Sequence, residues 1–484
     1  MSAGWLEGGV ADRATLRALE GPAFREAVLE RAAAGGRVAA LAGLPAPAGG
    51  ASLLALMAYD DRGALEAVLS SPLSSYRALT PDLPQAHVLE RELFEQHGVL
   101  PEGHPWMKPV RRTARREDFF TVQGEAVHEV AVGPVHAGII DPGHFRFQCH
   151  GETVLHLQIQ LGYQHRGVEE ALQGGPGPSS AILAETIAGD TTIGHAVAHA
   201  QVVEALAGCE PPPRAEVIRA LALELERAAS HAGDLGAMAG DVGFLPAASW
   251  FGRLRGDLLN LLMAFTGSRF GRSLVRPGGV RHDLTEDMAR GIAWRLRGAE
   301  EELAPVAHLL FETPSVRARL EGTGPLSKQA AAELGLLGPA ARACGSPLDA
   351  RKDHPWGPYR AGGVLLPEAR SGDVLARAQV RWSETRQSVR MCLEWLGSLP
   401  HGPIRTECGA PRPGRIAAAL VEGWRGEIVH LAVTGPAGRF ERYKVKDPSL
   451  QNWPGLALAM RQGAISDFPL CNKSFNLSYA GHDL

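Results

Sequence analysis

The chain has 484 residues, 45% of them hydrophobic and 21% charged, with 49 Lys and Arg against 53 Asp and Glu and a formal net charge of −4. That length corresponds to about two to four structural units, and the apolar fraction excludes a disordered chain. A near-neutral balance without a long basic block excludes broad, nonspecific binding to nucleic acid.

The first thirty or so residues mix Ala, Leu, Glu and Arg at helical spacing and predict one or two short helices. They lack the basic start and apolar core of a secretory signal. The longest uncharged stretch, between Arg37 and Asp60, is broken by Pro45, Pro47 and the Gly49–Gly50 pair, so it is not expected to span a membrane. Inside it, Leu53–Tyr59 reads as a strand, followed by a turn at Asp60–Gly63 and a helix around Ala64–Leu69. A short apolar stretch at Tyr76–Leu79 ends at the turn Thr80-Pro81-Asp82. This mixture predicts a small α+β domain over residues 1–118. The charged segment Arg111–Asp118 at its end reads as a solvated connector. Residues 119–484 are expected to form a larger, mainly helical domain with short β-sheets, giving an α+β chain overall. Strands are predicted from Glu129, around Phe145–Phe147, and over Val154–Leu161 after a turn at Gly151–Glu152. One helix should run from near Ala181 to Gly208, and another from Pro211–Pro213 to about Gly240. Leu254–Thr266, Thr285–Leu310 and Val374–Leu396 have the same periodicity. After Pro413 strands return at Gly426–Ala432 and Phe440–Val445, joined by a hairpin at Gly435–Gly438. There is no internal repeat.

Six cysteines are scattered so that the closest two, Cys392 and Cys408, lie 16 residues apart. Without a CxxC, zinc-ribbon and thioredoxin-type chemistry is excluded, and a disulfide framework is not expected at this length. No Walker A loop, no GxGxxG after a strand and no GxSxG occurs. Glu224, Arg227, His231 and Asp234 follow one another at spacings of three, four and three, with Asp241 two turns further on. They form one stripe beside the apolar stripe of Ile218, Leu221, Leu225, Ala228 and Leu235. Such a line either conducts protons or shapes a polar pocket; the plainer reading is a charged flank with ordinary ion pairs. His195 and His199 have the i, i+4 spacing of a metal pair, but no third ligand is fixed, and a structural pair is the plainer reading. The segment Glu185–His195 is polar and contains Gly189; if it opens a helix, its N–H groups could face a ligand. His136, Asp141 and His144 lie together in a Gly/Pro-rich loop that is also a candidate site.

Several segments carry a family resemblance. Gln85–Glu95 followed by Gly98–Pro105 resembles the C-type subunit of respiratory complex I. Gly133–His136, Gly162–Gly167, Glu224–His231 and Arg276–Val280 resemble its D-type subunit, which is itself similar to the large subunit of membrane-bound [NiFe] hydrogenases. The ending Ser466–Leu484 resembles hydrogenase-4-like, complex-I-related proteins. The resemblance therefore implies a fused chain: a C-type domain at 1–118 and a D-type, hydrogenase-large-subunit-like domain at 119–484.

What it implies about chemistry depends on the departures. Ala188 and Thr191 stand where the hydrogenases have cysteines, and of a second cysteine pair near the C-terminus only Cys471 remains. Nickel and iron require soft thiolates, so no NiFe centre, and no other metal or cofactor held by this chain, is expected. Ile140 and Gly189 stand where complex I has the His and Tyr thought to hold the quinone head-group. Asp241 matches the carboxylate that partners that His, or Asp234 does if a two-turn gap is allowed. Asp141 matches a proton-transfer Glu of the hydrogenase-like relatives. Arg166 matches an Arg near the terminal cluster of the neighbouring subunit, and Gly271 replaces a cluster-side His. The residues expected to act are Asp141, Asp190, His231, Asp234 and Asp241 for proton handling, and His136, His165, Arg166 and Arg276 on the cofactor side. The resemblance implies a peripheral subunit on the cytoplasmic face of the membrane. It would take electrons from a [4Fe–4S] cluster in a small iron–sulfur subunit, with NADH-quinone oxidoreductase as the family's best-known activity and a quinone as candidate acceptor. Antiporter-like and quinone-site membrane subunits would be its other partners, and proton or cation translocation the outcome. The alternative is a catalytically silent link between the iron–sulfur protein and the membrane subunits.

Overall fold

In the computed structural model, which describes residues 4–46, 49–111, 119–138 and 140–484, alternating side chains near the C-terminus join the two halves of the chain. The strands Arg415–Gly423, Gly426–Thr434 and Phe440–Lys446 form an antiparallel meander, and Val10–Asp12 adds to its edge beside Arg415–Ala417. Period-two alternation sends Ile416, Ala418, Leu420, Val429, Leu431 and Val433 to one face. There they pack on Ala40, Ala42, Leu54, Leu56 and Ala58 of a second sheet, built from N-terminal residues. The opposite face carries Ala417, Ala419, Ala432, Tyr443 and Val445, and packs on Val202, Val203 and Leu206 of the helix Thr192–Ala207. The alanines on this face let the helix come close. That helix is buried along nearly its whole length, so each of its polar side chains needs an internal partner.

The N-terminal sheet has the strand order Ala18–Leu19, Ala64–Leu73, Ala51–Tyr59, Arg37–Pro45. The helix expected around Ala64–Leu69 is a strand: Asp60–Gly63 is a hairpin turn, and Tyr59↔Ala64 and Ala58↔Leu65 continue the ladder. Pairing to a buried neighbour overrides the local helical preference of Ala, Leu and Glu. The uncharged stretch after Arg37 is accounted for in the same way, as two buried antiparallel strands. The helices Gly21–Ala33 and His87–His97 cover this sheet.

The larger half is built on the 29-residue helix Pro213–Asp241. The helices Leu245–Thr266, Glu286–Glu312 and Val374–Gly397 surround it and share its core. A three-stranded sheet of Val127–Val132, His144–His150 and Thr153–Gln160 lies beside the C-terminal helices. The helix expected over 181–208 is two, Ser180–Glu185 and Thr192–Ala207, separated by an irregular turn at 186–191. Among the described residues no helix is long and apolar enough to cross a membrane.

Arg111 is not solvated. It is 5% exposed, pairs with Glu92 and donates to the His482 carbonyl at 2.6 Å. The rest of the expected connector, 112–118, and with it the boundary at 118, lies outside the described residues. Glu92 and Arg111 belong to a buried ion cluster that ties the N-terminal half to the meander. Lys444 donates to Glu92 at 2.6 Å and to Glu169 at 2.8 Å, and Arg442 pairs with Glu169 at 2.9 Å.

Candidate functional site

The charged stripe of the helix Pro213–Asp241 is not a solvated flank. Glu224, Arg227 and His231 have no exposed surface, and Asp234 has 2%. Each is matched by a residue distant in sequence. Glu224 accepts from Arg351, Tyr359 (2.6 Å) and Ser388 (2.5 Å), and Arg227 donates to the carbonyls of Glu422 and Gly423. The Nε2 of His231 lies 2.8 Å from Glu384, which also accepts from Arg342 at 2.8 Å. Burial lowers the His231 pKa and favours the neutral ring, while Glu384, though buried, is held well below the usual carboxylate range by Arg342 and His231. The Nδ1 of His231 is buried with no partner among the described residues.

Asp234 pairs with Arg381 at 2.7 Å and accepts from the Asn476 side chain at 2.5 Å. The Asn476 carbonyl in turn accepts from Arg425, whose guanidinium clamps both oxygens of Asp190 at 2.6 and 2.8 Å. Burial opposes ionisation of Asp190, yet Arg425 keeps its carboxyl below its ordinary range. Arg425 also donates to the Thr191 hydroxyl at 3.1 Å. Where the resemblance leads one to expect thiols, Ala188 presents a buried methyl and Thr191 a hydroxyl already engaged by a guanidinium. Cys471 is buried elsewhere, against Arg377 and next to Gly324. This donor set does not fit a nickel–iron group.

Arg166 lies at the surface. Its guanidinium donates to the carbonyls of Thr186 and Ile187 at 2.8 and 3.0 Å, in the turn that precedes Asp190. Among the described residues it makes no ion pair, and desolvation lowers its pKa against the raising charge of Asp483. His165 Nδ1 lies 2.7 Å from the Asp483 carbonyl, and the Asp483 carboxylate accepts from Gly162 and Gln164, so the loop Gly162–Gly167 is wrapped on the C-terminal segment. Arg276 is paired with buried Glu185 at 2.7 Å. His136 Nε2 lies 2.7 Å from the Gly143 carbonyl, and its ring packs against Phe145. Asp141 is exposed near Tyr479, and Asp241 is exposed at its helix end, where partial burial raises its pKa against the lowering charge of Lys473.

Asp190 and Asp234 are thus joined through Arg425 and Asn476. His231 is bound separately to Glu384 and through it to Arg342. Asp141, Asp241, His165 and Arg166 lie beside the C-terminal segment that carries Asn476. The residues missing from the sequence reading are Asn476, Arg425 and Glu384. The only signal for any of them was the distinctive C-terminal segment that contains Asn476.

Gly189 and Gly271 explain two departures locally. Nothing lies within 4 Å of a Cβ placed on Gly189, so the position is open space beside Asp190. Gly271 has φ +64°, and a Cβ there would sit 2.6 Å from Ile193 Cδ1, which excludes a histidine without rearrangement.

At the start of the helix carrying His195, the first-turn N–H groups of Ile193 and Gly194 are not free. The Ile193 and Gly194 N–H groups are taken by Glu226 at 2.7 and 3.2 Å, so the helix start is already occupied by a buried carboxyl. Burial pushes the Glu226 carboxyl up to about 8 despite these donors. The folded protein then holds a proton that an unfolded Glu releases near 4.5. The stability from this group is fully present at low pH and is lost as pH rises towards about 8. Glu226→Gln is expected to flatten that decline, which denaturant midpoints measured from pH 5 to 8 would register.

Residues 241–412 match the family described as respiratory-chain NADH dehydrogenase, 49 Kd subunit. The chain is 31% identical to formate hydrogenlyase subunit 5 of Escherichia coli (strain K12), over 84% of this chain and 77% of that protein. It is also 31% identical to the carbon monoxide-induced hydrogenase of Rhodospirillum rubrum, over 72% of this chain and 98% of that one. Among solved structures, a chain of the membrane-bound sulfane sulfur reductase, an archaeal respiratory membrane complex, matches with a TM-score of 0.70 and 25% identity. That match covers 74% of this chain and 99% of the other.

Proposed function

Because the chain belongs to the complex I and hydrogenase-4-like family, related to the large subunit of membrane-bound [NiFe] hydrogenases, we propose that it couples electron arrival to proton handling in the peripheral arm of a membrane oxidoreductase. It is an oxidoreductase subunit whose relatives belong to membrane-bound complexes. In this reading the electrons come from a [4Fe–4S] cluster in a small iron–sulfur subunit docked over Arg166. The acceptor is a quinone or another small, largely apolar molecule near Gly189. Antiporter-like membrane subunits then use the protonation change to move protons or cations, and the chain sits on the cytoplasmic face of the membrane.

Arg166 carries the reading. An exposed guanidinium with no ion pair among the described residues, fixed by the Thr186 and Ile187 carbonyls and with Asp483 its nearest charged influence, favours added negative charge on a neighbouring redox centre. Behind it stands Asp190, whose ionisation depends on Arg425 and therefore responds to charge arriving nearby. The carboxylates adjust protonation as charge accumulates, and Gly189 leaves room for a ligand without supplying a polar contact. Ala188 and Thr191 support a mechanism without nickel, since soft metal ions need thiolates that these side chains cannot supply.

In the purified complex, reduction of a quinone analogue by the native electron donor should fall about tenfold in Arg166→Ala, equivalent to ~1.4 kcal/mol of barrier. Asp241→Asn should lower it as well. Unchanged turnover in both variants would instead favour a silent linking subunit, and stoichiometric nickel on metal analysis would overturn the nickel-free mechanism.

A further inference from the structure

Five titratable side chains outside that network form one continuous buried chain. His195 Nε2 lies 3.1 Å from Asp447 Oδ2, and His195 Nδ1 lies 3.1 Å from His430 Nε2. His430 Nδ1 is 2.8 Å from the Tyr443 hydroxyl, which is also 2.8 Å from His199 Nδ1. None of the five is more than 2% exposed. We propose that Asp447, His195, His430, Tyr443 and His199 form a proton wire that loads and unloads the Asp447 carboxylate from the cleft beside His199.

With Asp447 ionised and the three imidazoles neutral, the hydrogen-bond inventory gives every link one direction. Asp447 as a carboxylate only accepts, so His195 carries its proton on Nε2 and accepts on Nδ1. His430 must then donate from Nε2 and accept on Nδ1. The single Tyr443 O–H fills that acceptor, which leaves the Tyr443 oxygen to accept from His199 Nδ1–H. His199 Nε2 is left as a lone pair with no partner among the described residues, and its ring lines a cleft of about 800 Å³ together with Ala181, Arg276, Arg405 and Glu407. One consistent set of tautomers therefore runs from the cleft to Asp447.

A proton delivered to His199 Nε2 by a hydronium ion in the cleft, which is left as water, displaces the Nδ1 proton to Tyr443. The Tyr443 proton moves to His430 Nδ1, the His430 Nε2 proton to His195 Nδ1, and the His195 Nε2 proton to Asp447 Oδ2. One proton enters and one carboxylate is neutralised. The reverse passage restores the starting tautomers, so the chain charges and discharges Asp447 and does not conduct one way. The Asp447 end lies within electrostatic reach of Arg425 and Asp190, while Oδ1 accepts from the Ser449 N–H at 2.8 Å. Negative charge arriving near Asp190 would be balanced by this proton, and in that respect the proposal rests on the function proposed above.

Two measurements separate the wire from that function. In the intact complex, His199→Ala should slow acceptor reduction about tenfold or more. Added imidazole should restore the rate through the cleft, whereas thiazole, of the same shape but far less basic, should not. Tyr443→Phe should slow the reaction without rescue by either. A rate within about twofold of the parent in both variants, or equal rescue by thiazole, would overturn the wire. If the parent complex reduces no acceptor, the proposed function fails, and the wire is judged by nitrogen-15 NMR of histidine-labelled chain. Protons on Nε2 of His195 and His430 and on Nδ1 of His199 are expected, and any other assignment overturns it.

Discussion

Replacing Lys444 with methionine is expected to destabilise the chain by about 3–5 kcal/mol, the usual cost of removing one partner from a buried charge cluster. The ammonium lies between Glu92 and Glu169, 2.6 and 2.8 Å away, with all three side chains 7% exposed or less. Burial by itself would raise both carboxyls; Arg111, Lys444 and Arg442 together hold them below their ordinary range. Methionine fills similar space but leaves two carboxylates facing each other in a low-dielectric contact. The sign of the pH dependence follows. In the parent, stability from these depressed groups is present at neutral pH and is lost as pH falls through the folded values. In the variant they are destabilised when ionised, so its deficit is greatest at neutral pH and shrinks on acidification. Denaturant titrations of both proteins at pH 7 and pH 5 measure the difference. A deficit independent of pH would show that packing, and not charge, is what Lys444 contributes. Because the cluster joins the N-terminal half to the meander, limited proteolysis should also cut the variant faster in the N-terminal half.

Arg342→Met is expected to have a similar effect, about 3–5 kcal/mol, by exposing the opposite side of the same problem. Arg342 is 1% exposed and donates to Glu384 and Glu422 at 2.8 Å each, and to the Leu348 carbonyl at 2.9 Å. Glu384 is also the partner of His231, so the variant reaches the candidate site. Burial already pushes Glu422 up to about 7, with Arg342 opposing the rise. Without Arg342, Glu422 should be protonated at neutral pH, and Glu384 should move upward. Denaturant midpoints measure the first effect. A carboxyl band from protonated Glu422 in the infrared difference spectrum at pH 7 measures the second, and its absence would show that Asp349 and Glu422 rearrange instead.

Much of the helical frame was legible from periodicity. Pro213–Asp241, Glu286–Glu312 and Val374–Gly397 have long apolar stripes that no competing pattern obscures. Ala64–Leu73 was not legible, because its residues favour a helix and only the neighbouring strand makes them a ladder. The break at 186–191 was likewise hidden, since His195 and His199 continue the helical spacing on its far side. Burial of the Glu224–Asp234 stripe was the largest surprise. Charged residues at helical spacing read as a wet face unless their partners are known, and Arg342, Arg351, Arg381 and Glu384 are over a hundred residues away.

The sequence by itself determined which residue types are available: Ala188, Thr191, Ile140 and Gly189 are fixed by the chain, and the expectation of no thiolate ligands and no His/Tyr pair follows from the resemblance without any coordinates. It also determined the family, through motifs short enough to be read locally. Only the tertiary structure decided which charges meet. The Asp190–Arg425–Asn476–Asp234 connection and the wire from Asp447 to His199 each join residues from two or more distant segments. Hydrogen bonds act over about 3 Å, a distance that sequence spacing constrains within one helix and leaves undetermined between two elements.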